Sequence, residues 1–209
     1  MYKLYWGQVT GAMAPQILLE EVGADYERVV LDMNKGEENE AAYLKINPRG
    51  QVPALILPDG SILTESAAMV LHIADSYPES GLLPLPGSAE RAQVYRWLIY
   101  AVANIYEADL RLFYSERFAT EASCVDSIKL KAGVDIDAAW DLLEQVLNDG
   151  PFLLGKQYSV IDPYLLMLAH WHEQIETLLV RCPKLKRLCD TVRQRPAVER
   201  IWSQHYPAE

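Results

Sequence analysis

The step Val52-Pro53 closes the run Asn47-Pro48-Arg49-Gly50-Gln51-Val52-Pro53 and leads straight into the apolar stretch Ala54 to Leu57. A proline donates no backbone hydrogen bond and can hold a cis bond in a tight turn. A cis bond here frees the amide and carbonyl of Val52 to pair with a ligand backbone instead of continuing a ladder. A dozen residues on stands Thr64-Glu65-Ser66. Ser66 falls in the first turn of a predicted helix, where free N–H groups and the dipole favour a carboxylate. Glu65 supplies a negative charge for an amine. Taken jointly, the two motifs read as a site for a small zwitterionic peptide; either half alone would be an ordinary strand start or helix N-terminus.

The surrounding pattern says where this site stands. Lys3 to Trp6 reads as a strand, Met13 to Val22 as a helix stopped by Gly23, and Tyr26 to Leu31 as a β-branched strand. Ala41 to Ile46 is a short helix ended by Asn47-Pro48, because the residue before proline disfavours the α region. Ala54–Leu57 and Ser61–Leu63 flank the turn signal Pro58-Asp59-Gly60. A helix from Thr64 to Tyr77 carries Ala67, Val70, Leu71 and Ala74 on one face. The order βαβαββα predicts a first domain over 1–77. Prolines and glycines between 78 and 88 mark a linker.

After the linker the period changes to helical and stays so, which predicts an all-helical domain over 89–209. Val94, Trp97, Leu98, Ala101 and Ile105 form one stripe; Ile136, Trp140, Leu143 and Leu147 form another. Ser159-Val160-Ile161-Asp162 reads as a capping box with Asp in the place of Glu, the Ser capping the helix and the Asp reaching back. Tyr164 to Trp171 is apolar nearly all round and so predicts a buried central helix. Cys182-Pro183 and Arg195-Pro196 start two last helices.

Bulk properties narrow the function. The 209 residues carry a formal net charge of −10, which argues against nucleic-acid partners and against anionic membranes. No apolar run approaches the ~20 residues of a membrane span, and the start lacks the pattern of a signal peptide. A cytoplasmic protein is expected. The three cysteines, Cys124, Cys182 and Cys189, read as reduced thiols rather than a disulfide frame.

The joint pattern of Asn47 to Pro53 with Glu65-Ser66 resembles the glutathione transferase family, bacterial members above all, and the resemblance runs the length of the chain. It implies a thioredoxin-like N-terminal domain with a cis-Pro and an all-helical C-terminal domain that forms an electrophile pocket. It implies glutathione as co-substrate, with Val52 before Pro53 pairing with the cysteinyl backbone and Glu65 and Ser66 holding the γ-glutamyl end. Lys35 stands near a position where some bacterial members bind the glycyl carboxylate; Gln51 is a second polar candidate. Asn104 matches a position that reaches the partner subunit's glutathione in a homodimer, and Tyr106 one that faces the second substrate.

Such an enzyme must hold a thiol as a thiolate. The thiol's unperturbed pKa is near ~8.5, and lowering it by two units takes roughly 2.7 kcal/mol. The family places its donor at the end of the first strand or in the following loop, here Tyr5-Trp6-Gly7-Gln8-Val9-Thr10-Gly11-Ala12. Gly11 stands where bacterial members with a catalytic Cys carry it, which puts thiol-based reduction in doubt. Thr10 is the expected donor, close to the position of Ser-type members, and Tyr5 is its competitor. The expected reaction is transfer of glutathione to a small hydrophobic electrophile, as in detoxification. The rivals are glutathione-dependent isomerisation or peroxide reduction, and a non-catalytic glutathione-binding protein.

Other constellations carry no chemistry. His170 and His172 are two apart on a helix and point to different sides, so they make no metal pair. His72 and His205 have no ligand-spaced companions, and no metal is expected. There is no P-loop and no dinucleotide fingerprint.

Overall fold

A computed structural model describes residues 1–207. The chain divides into two compact units, one of Met1–Leu83 with the segment from Arg193 onward, the other of Pro84–Val192. In the first unit β1 (Tyr2–Trp6), α1 (Met13–Glu21), β2 (Tyr26–Val30), α2 (Ala41–Leu44), β3 (Ala54–Ile56), β4 (Ile62–Leu63) and α3 (Ser66–Ser76) follow in the expected βαβαββα order. The sheet order is β2-β1-β3-β4, with β1 parallel to β2 and antiparallel to β3, and β3 antiparallel to β4. This is the thioredoxin-like arrangement that the order of elements predicts.

Period-two alternation sets the two faces of β1. Tyr2, Leu4 and Trp6 are buried, while Lys3 and Tyr5 are only partly covered. Trp6 reaches Gln16 of α1, and Tyr5 stacks at a tilt on Tyr43 of α2, 5.3 Å between ring centroids. Register then gathers three segments at one end of the sheet. Tyr5 pairs with Ala54, so the loop leaving β1 and the Val52-Pro53 step entering β3 lie at the same end. Leu55 pairs with Leu63, so the exit of β4 into Glu65 and Ser66 joins them. Helix α3 begins at Ser66 rather than at the expected Thr64, because Glu65 takes φ 65°, outside the helical region.

The all-helical run expected over 89–209 is divided differently by its contacts. Helix α10 (Pro196–His205) belongs to the first unit, where it packs on α1. Its stripe of Ala197, Val198, Ile201 and His205 is buried, and Arg195 grips Glu21 through two bonds of 2.6 and 2.8 Å.

The second unit contains α4 (Ala89–Tyr100), α5 (Glu107–Phe113), α6 (Val125–Val146), α7 (Ile161–Ala169), α8 (Ile175–Arg181) and α9 (Pro183–Arg193). Ser88 caps α4 by accepting from the Arg91 amide at 3.1 Å. The helical run that carries the stripe from Val94 to Ile105 continues from α4 into α5 through a π-helical stretch, Ala101–Tyr106. Every residue of α7 is buried, Asp162 in its first turn included, and from Tyr164 to Ala169 the sequence is apolar all round. Its expected capping box forms only by half. Asp162 accepts from the Ser159 amide at 2.7 Å, but the Ser159 hydroxyl donates to Asp162 instead of capping a helix amide. The other carboxylate oxygen takes the Leu153 amide at 2.8 Å. No helix among the described residues is long and apolar enough to cross a membrane.

Candidate functional site

The loop between β1 and α1 is built around a close approach. A Cβ on Gly7 would lie 3.0 Å from Thr10 Cγ2 and 3.1 Å from Met33 Cγ, so a larger residue would crowd Thr10 where it folds back over the strand end. Thr10 Oγ1 then donates to the Gly7 carbonyl at 2.8 Å and accepts from the Ala12 amide at 3.3 Å. Thr10 thus closes its own loop, while α1 has no side-chain cap, and the one hydroxyl proton of Thr10 already has a partner. Val9, just before it, sits at φ 52°. A β-branched residue there is a genuine outlier.

The cis-Pro turn is held from behind. The Val52-Pro53 bond is cis. The carbonyl of Gln51 accepts from Tyr43 Oη at 2.6 Å and from Asn47 Nδ2 at 2.7 Å, and Asn47 Oδ1 takes the Arg49 amide at 3.1 Å. Burial pushes the Tyr43 phenol up to about 12, so it stays a donor. Gly50 turns the chain at φ 59°, where an added Cβ would meet Asn39 Oδ1 at 3.0 Å.

The third segment is Glu65-Ser66. Glu65 is exposed and left-handed; Ser66, 7% exposed, opens α3. Val9 and Glu65 are the two non-glycine residues with positive φ among the described residues. Each immediately precedes a hydroxyl residue that the sequence singles out. Strain of about 1–3 kcal/mol per such residue persists only where surrounding contacts over-determine it, and it clusters at functional sites.

The remaining sequence candidates have partners of their own. Lys35 pairs with Asp32 at 2.8 Å, with its side chain 73% exposed; each charge reinforces the other, raising the Lys35 pKa and lowering that of Asp32. Tyr5 lies on the α2 face of the sheet. In the second unit, Asn104 Nδ2 donates to the Tyr100 carbonyl at 3.1 Å, and the Tyr106 ring meets Trp171 edge-on at 5.0 Å. Cys182 and Cys189 are buried and their thiols are pushed up by that burial, so neither offers a ready thiolate.

Two residues escape sequence reasoning. His205, fully buried, contacts the loop that carries Thr10 through residues almost the whole chain away. Asp109 sits 2% exposed on α5 with an unpartnered Oδ2. A signal existed only for Asp109, which shares the stripe of Ile105, Ala108 and Leu112 at core spacing.

Comparison with known proteins places both ends of the chain in one family. The N-terminal domain model of the glutathione S-transferases matches residues 2–75, and the C-terminal domain model matches residues 110–202. Glutathione S-transferase GstA of Escherichia coli O157:H7 is 28% identical over 94% of this chain and 95% of its own. A glutathione transferase homologue from Sulfitobacter, solved with bound glutathione, superposes with a TM-score of 0.91 at 29% identity, covering 98% of each chain. A sphingomonad glutathione S-transferase complexed with glutathione gives 0.83 at 31% identity over 99% of this chain and all of that one. Relatives with other reactions also match: a maleylacetoacetate isomerase of Pseudomonas aeruginosa at 24% identity over 98% of this chain, and the disulfide-bond oxidoreductase YfcG of Escherichia coli K12 at 26% over 94%. Two matched domain models, one fold and a shared pattern from end to end establish that the chain belongs to the glutathione S-transferase family.

Proposed function

We propose that the protein binds glutathione on its first unit, holds the thiol as a thiolate, and transfers it to a small hydrophobic electrophile. The observation that carries this is the pair of left-handed residues, Val9 and Glu65, each setting the hydroxyl residue that follows it at the same end of the sheet. A scaffold with no ligand has no use for such strain at these two places. Val52 offers its backbone to the cysteinyl part of glutathione. Glu65 takes the γ-glutamyl amine, and Ser66 with the α3 amides takes its carboxylate. Lys35 or Gln51 meets the glycyl end, Lys35 by exchanging Asp32 for the ligand.

Thr10 is the proposed donor to the sulfur, and it must turn its proton from the Gly7 carbonyl to do so. The sulfur lone pair then forms the bond to an electrophilic carbon. The leaving group departs with the bonding pair, or an acceptor double bond takes that pair and is protonated from water. Orientation and charge stabilisation are the protein's contribution. Tyr106 is proposed to face the electrophile. The reading includes a cytoplasmic homodimer in which Asn104 reaches the partner subunit's glutathione. Sedimentation should give a dimer at micromolar concentration; a monomer there removes the role of Asn104.

The engaged Thr10 proton favours one second reading, a glutathione-binding protein that leaves the thiol unionised. The ultraviolet difference spectrum of bound glutathione across pH separates the two. A transferase shows the thiolate band at neutral pH; a binder shows affinity by calorimetry without it. Thr10→Val keeps shape and deletes the hydroxyl. Hydrogen bonds to charged groups contribute about 1.5–3 kcal/mol, so the bound thiol's pKa should rise by one to two units with affinity changed less. If Tyr5→Phe produces that rise and Thr10→Val does not, the donor is Tyr5. In calorimetry Ser66→Ala should weaken binding by about 1 kcal/mol and Glu65→Ala by more, because each leaves a charged ligand group unpaired. Absence of binding at millimolar glutathione would sink the reading altogether.

A further inference from the structure

We propose that His205, on the last helix, is a positioning residue that clamps the loop between β1 and α1 and so sets the place of Thr10. The inference rests on the reading of that loop as the thiolate-holding one. The contacts are specific. The Val9 amide points at His205 Nδ1 at 3.2 Å, and Gln8 Nε2 donates to the His205 carbonyl at 3.2 Å. The last helix thus holds two consecutive residues of the loop just before Thr10, by backbone and side chain both.

The tautomer follows once the Trp6 indole N–H, 2.7 Å from Gln16 Oε1 and 3.0 Å from His205 Nε2, is given to the nearer acceptor. An amide N–H only donates, so Nδ1 carries the lone pair and Nε2 carries the proton. Nε2 lies 3.1 Å from Gln16 Oε1, which accepts it. The Trp6 indole N–H, which also only donates, reaches the same Gln16 oxygen at 2.7 Å. Gln16 Nε2 is left to donate to Tyr26 Oη at 3.2 Å and Gln204 Oε1 at 2.9 Å, and Tyr26 passes its own proton to Glu20 at 2.9 Å. In this arrangement the Trp6 and His205 N–H groups share Gln16 Oε1 as acceptor and stand 3.0 Å from each other. Burial, with Arg28 nearby, lowers the His205 pKa to about 4, so the ring is neutral at physiological pH, as this network needs.

The backbone explains why a clamp is required. Val9 is β-branched at φ 52° and exposed, so its own packing does not hold it there. Released, it relaxes toward negative φ and carries Thr10 off its position over Gly7. The bond to Nδ1 is the contact that opposes this. Neither ring nitrogen touches the reacting atoms in this scheme; His205 acts through the loop.

The test uses the full-length protein with glutathione. His205→Phe fills the space and deletes the acceptor, whereas His205→Asn places an amide oxygen near the former Nδ1. Three readouts apply: hydrogen exchange of the Val9 amide by NMR, the pKa of bound glutathione from its thiolate absorbance, and kcat and KM for a chromogenic electrophile. His205→Phe should speed Val9 amide exchange at least tenfold, raise the thiol pKa by about one unit and lower kcat about tenfold at neutral pH, with the KM for glutathione changed less. His205→Asn should recover most of each. Val9→Gly in the His205→Phe background should recover thiol pKa too, because glycine adopts positive φ without the clamp. Unchanged Val9 exchange, or an unchanged thiol pKa, in His205→Phe overturns the proposal. A wild-type protein with no thiolate band sinks the transferase reading instead, and the clamp is then decided by Val9 exchange alone. Should His205→Phe fail to fold, His205→Leu decides in its place: its thiol pKa should rise with Val9 present and recover with Val9→Gly, and an unchanged value with Val9 present overturns the proposal.

Discussion

Asp162→Ala should cost about 3–5 kcal/mol of folding stability. The carboxylate is fully buried at the start of α7 and accepts from the Ser159 and Leu153 amides, at 2.7 and 2.8 Å, and from the Ser159 hydroxyl. Truncation leaves two buried N–H groups without an acceptor. Each such orphan costs about 1–3 kcal/mol, and removal of a charged acceptor stands at the upper end. Asp162→Asn keeps the shape and one acceptor oxygen, so its loss should fall between wild type and Asp162→Ala. Ser159→Ala removes only a donor to an oxygen that keeps its amide partner, and should cost least. Urea unfolding of the three variants checks the order. If Ser159→Ala equals Asp162→Ala, the serine is the cap after all and the carboxylate merely accompanies it.

That inversion of roles between Ser159 and Asp162 shows what a local motif discloses. The spacing of the pair marks a helix start, because both residues can reach the same few backbone groups. Which of them accepts depends on Leu153, brought in by the preceding loop, and no periodicity announces it. The same division runs through the site. Val52-Pro53 and Glu65-Ser66 were legible because proline chemistry and a helix N-terminus are local facts. The left-handed φ of Glu65 was not, and it moved the start of α3 by two residues. Thr10 was legible as a hydroxyl at the mouth of a helix, whereas the destination of its proton depends on how closely Gly7 lets it fold back.

The last helix is the plainest case of what sequence withholds. Its stripe says that one face is buried but not against what, and it was grouped with its neighbours in sequence. In the structure it serves the first unit, with Arg195 on Glu21 and His205 beside Trp6 and Gln16. His205 is 189 residues from Gln16, and no spacing rule spans that distance. Contacts of this reach are made by topology alone. The loop that presents Thr10 is therefore held in part by the far end of the chain, so its geometry depends on the first unit being completed from both ends.

The stability of Asp109→Asn relative to the wild type should rise with pH. The carboxyl sits on α5 beside a cavity of about 150 Å³ that Asp137, His172 and Arg181 also line. Its Oδ2 has no hydrogen-bond partner, and burial raises its pKa from 3.8 to about 8. The sign follows from linkage. Below the unfolded value the group is protonated in both states and contributes nothing. Between 3.8 and about 8 the unfolded chain releases the proton while the folded protein retains it, so stability falls as pH rises. Above the folded value the full penalty is present. Asparagine never ionises, so the variant lacks this slope. Any cost of its own buried amide is the same at every pH and drops out of the trend. Relative to its value at pH 4, the advantage of Asp109→Asn should reach about 4 kcal/mol at pH 7, taking about 1.4 kcal/mol for each pH unit above the unfolded pKa. Unfolding free energies of both proteins at pH 4, 5.5 and 7 give the comparison. A difference that stays flat over that range would mean that Asp109 ionises in the folded state as readily as in the unfolded chain, with water or an ion in the cavity solvating it.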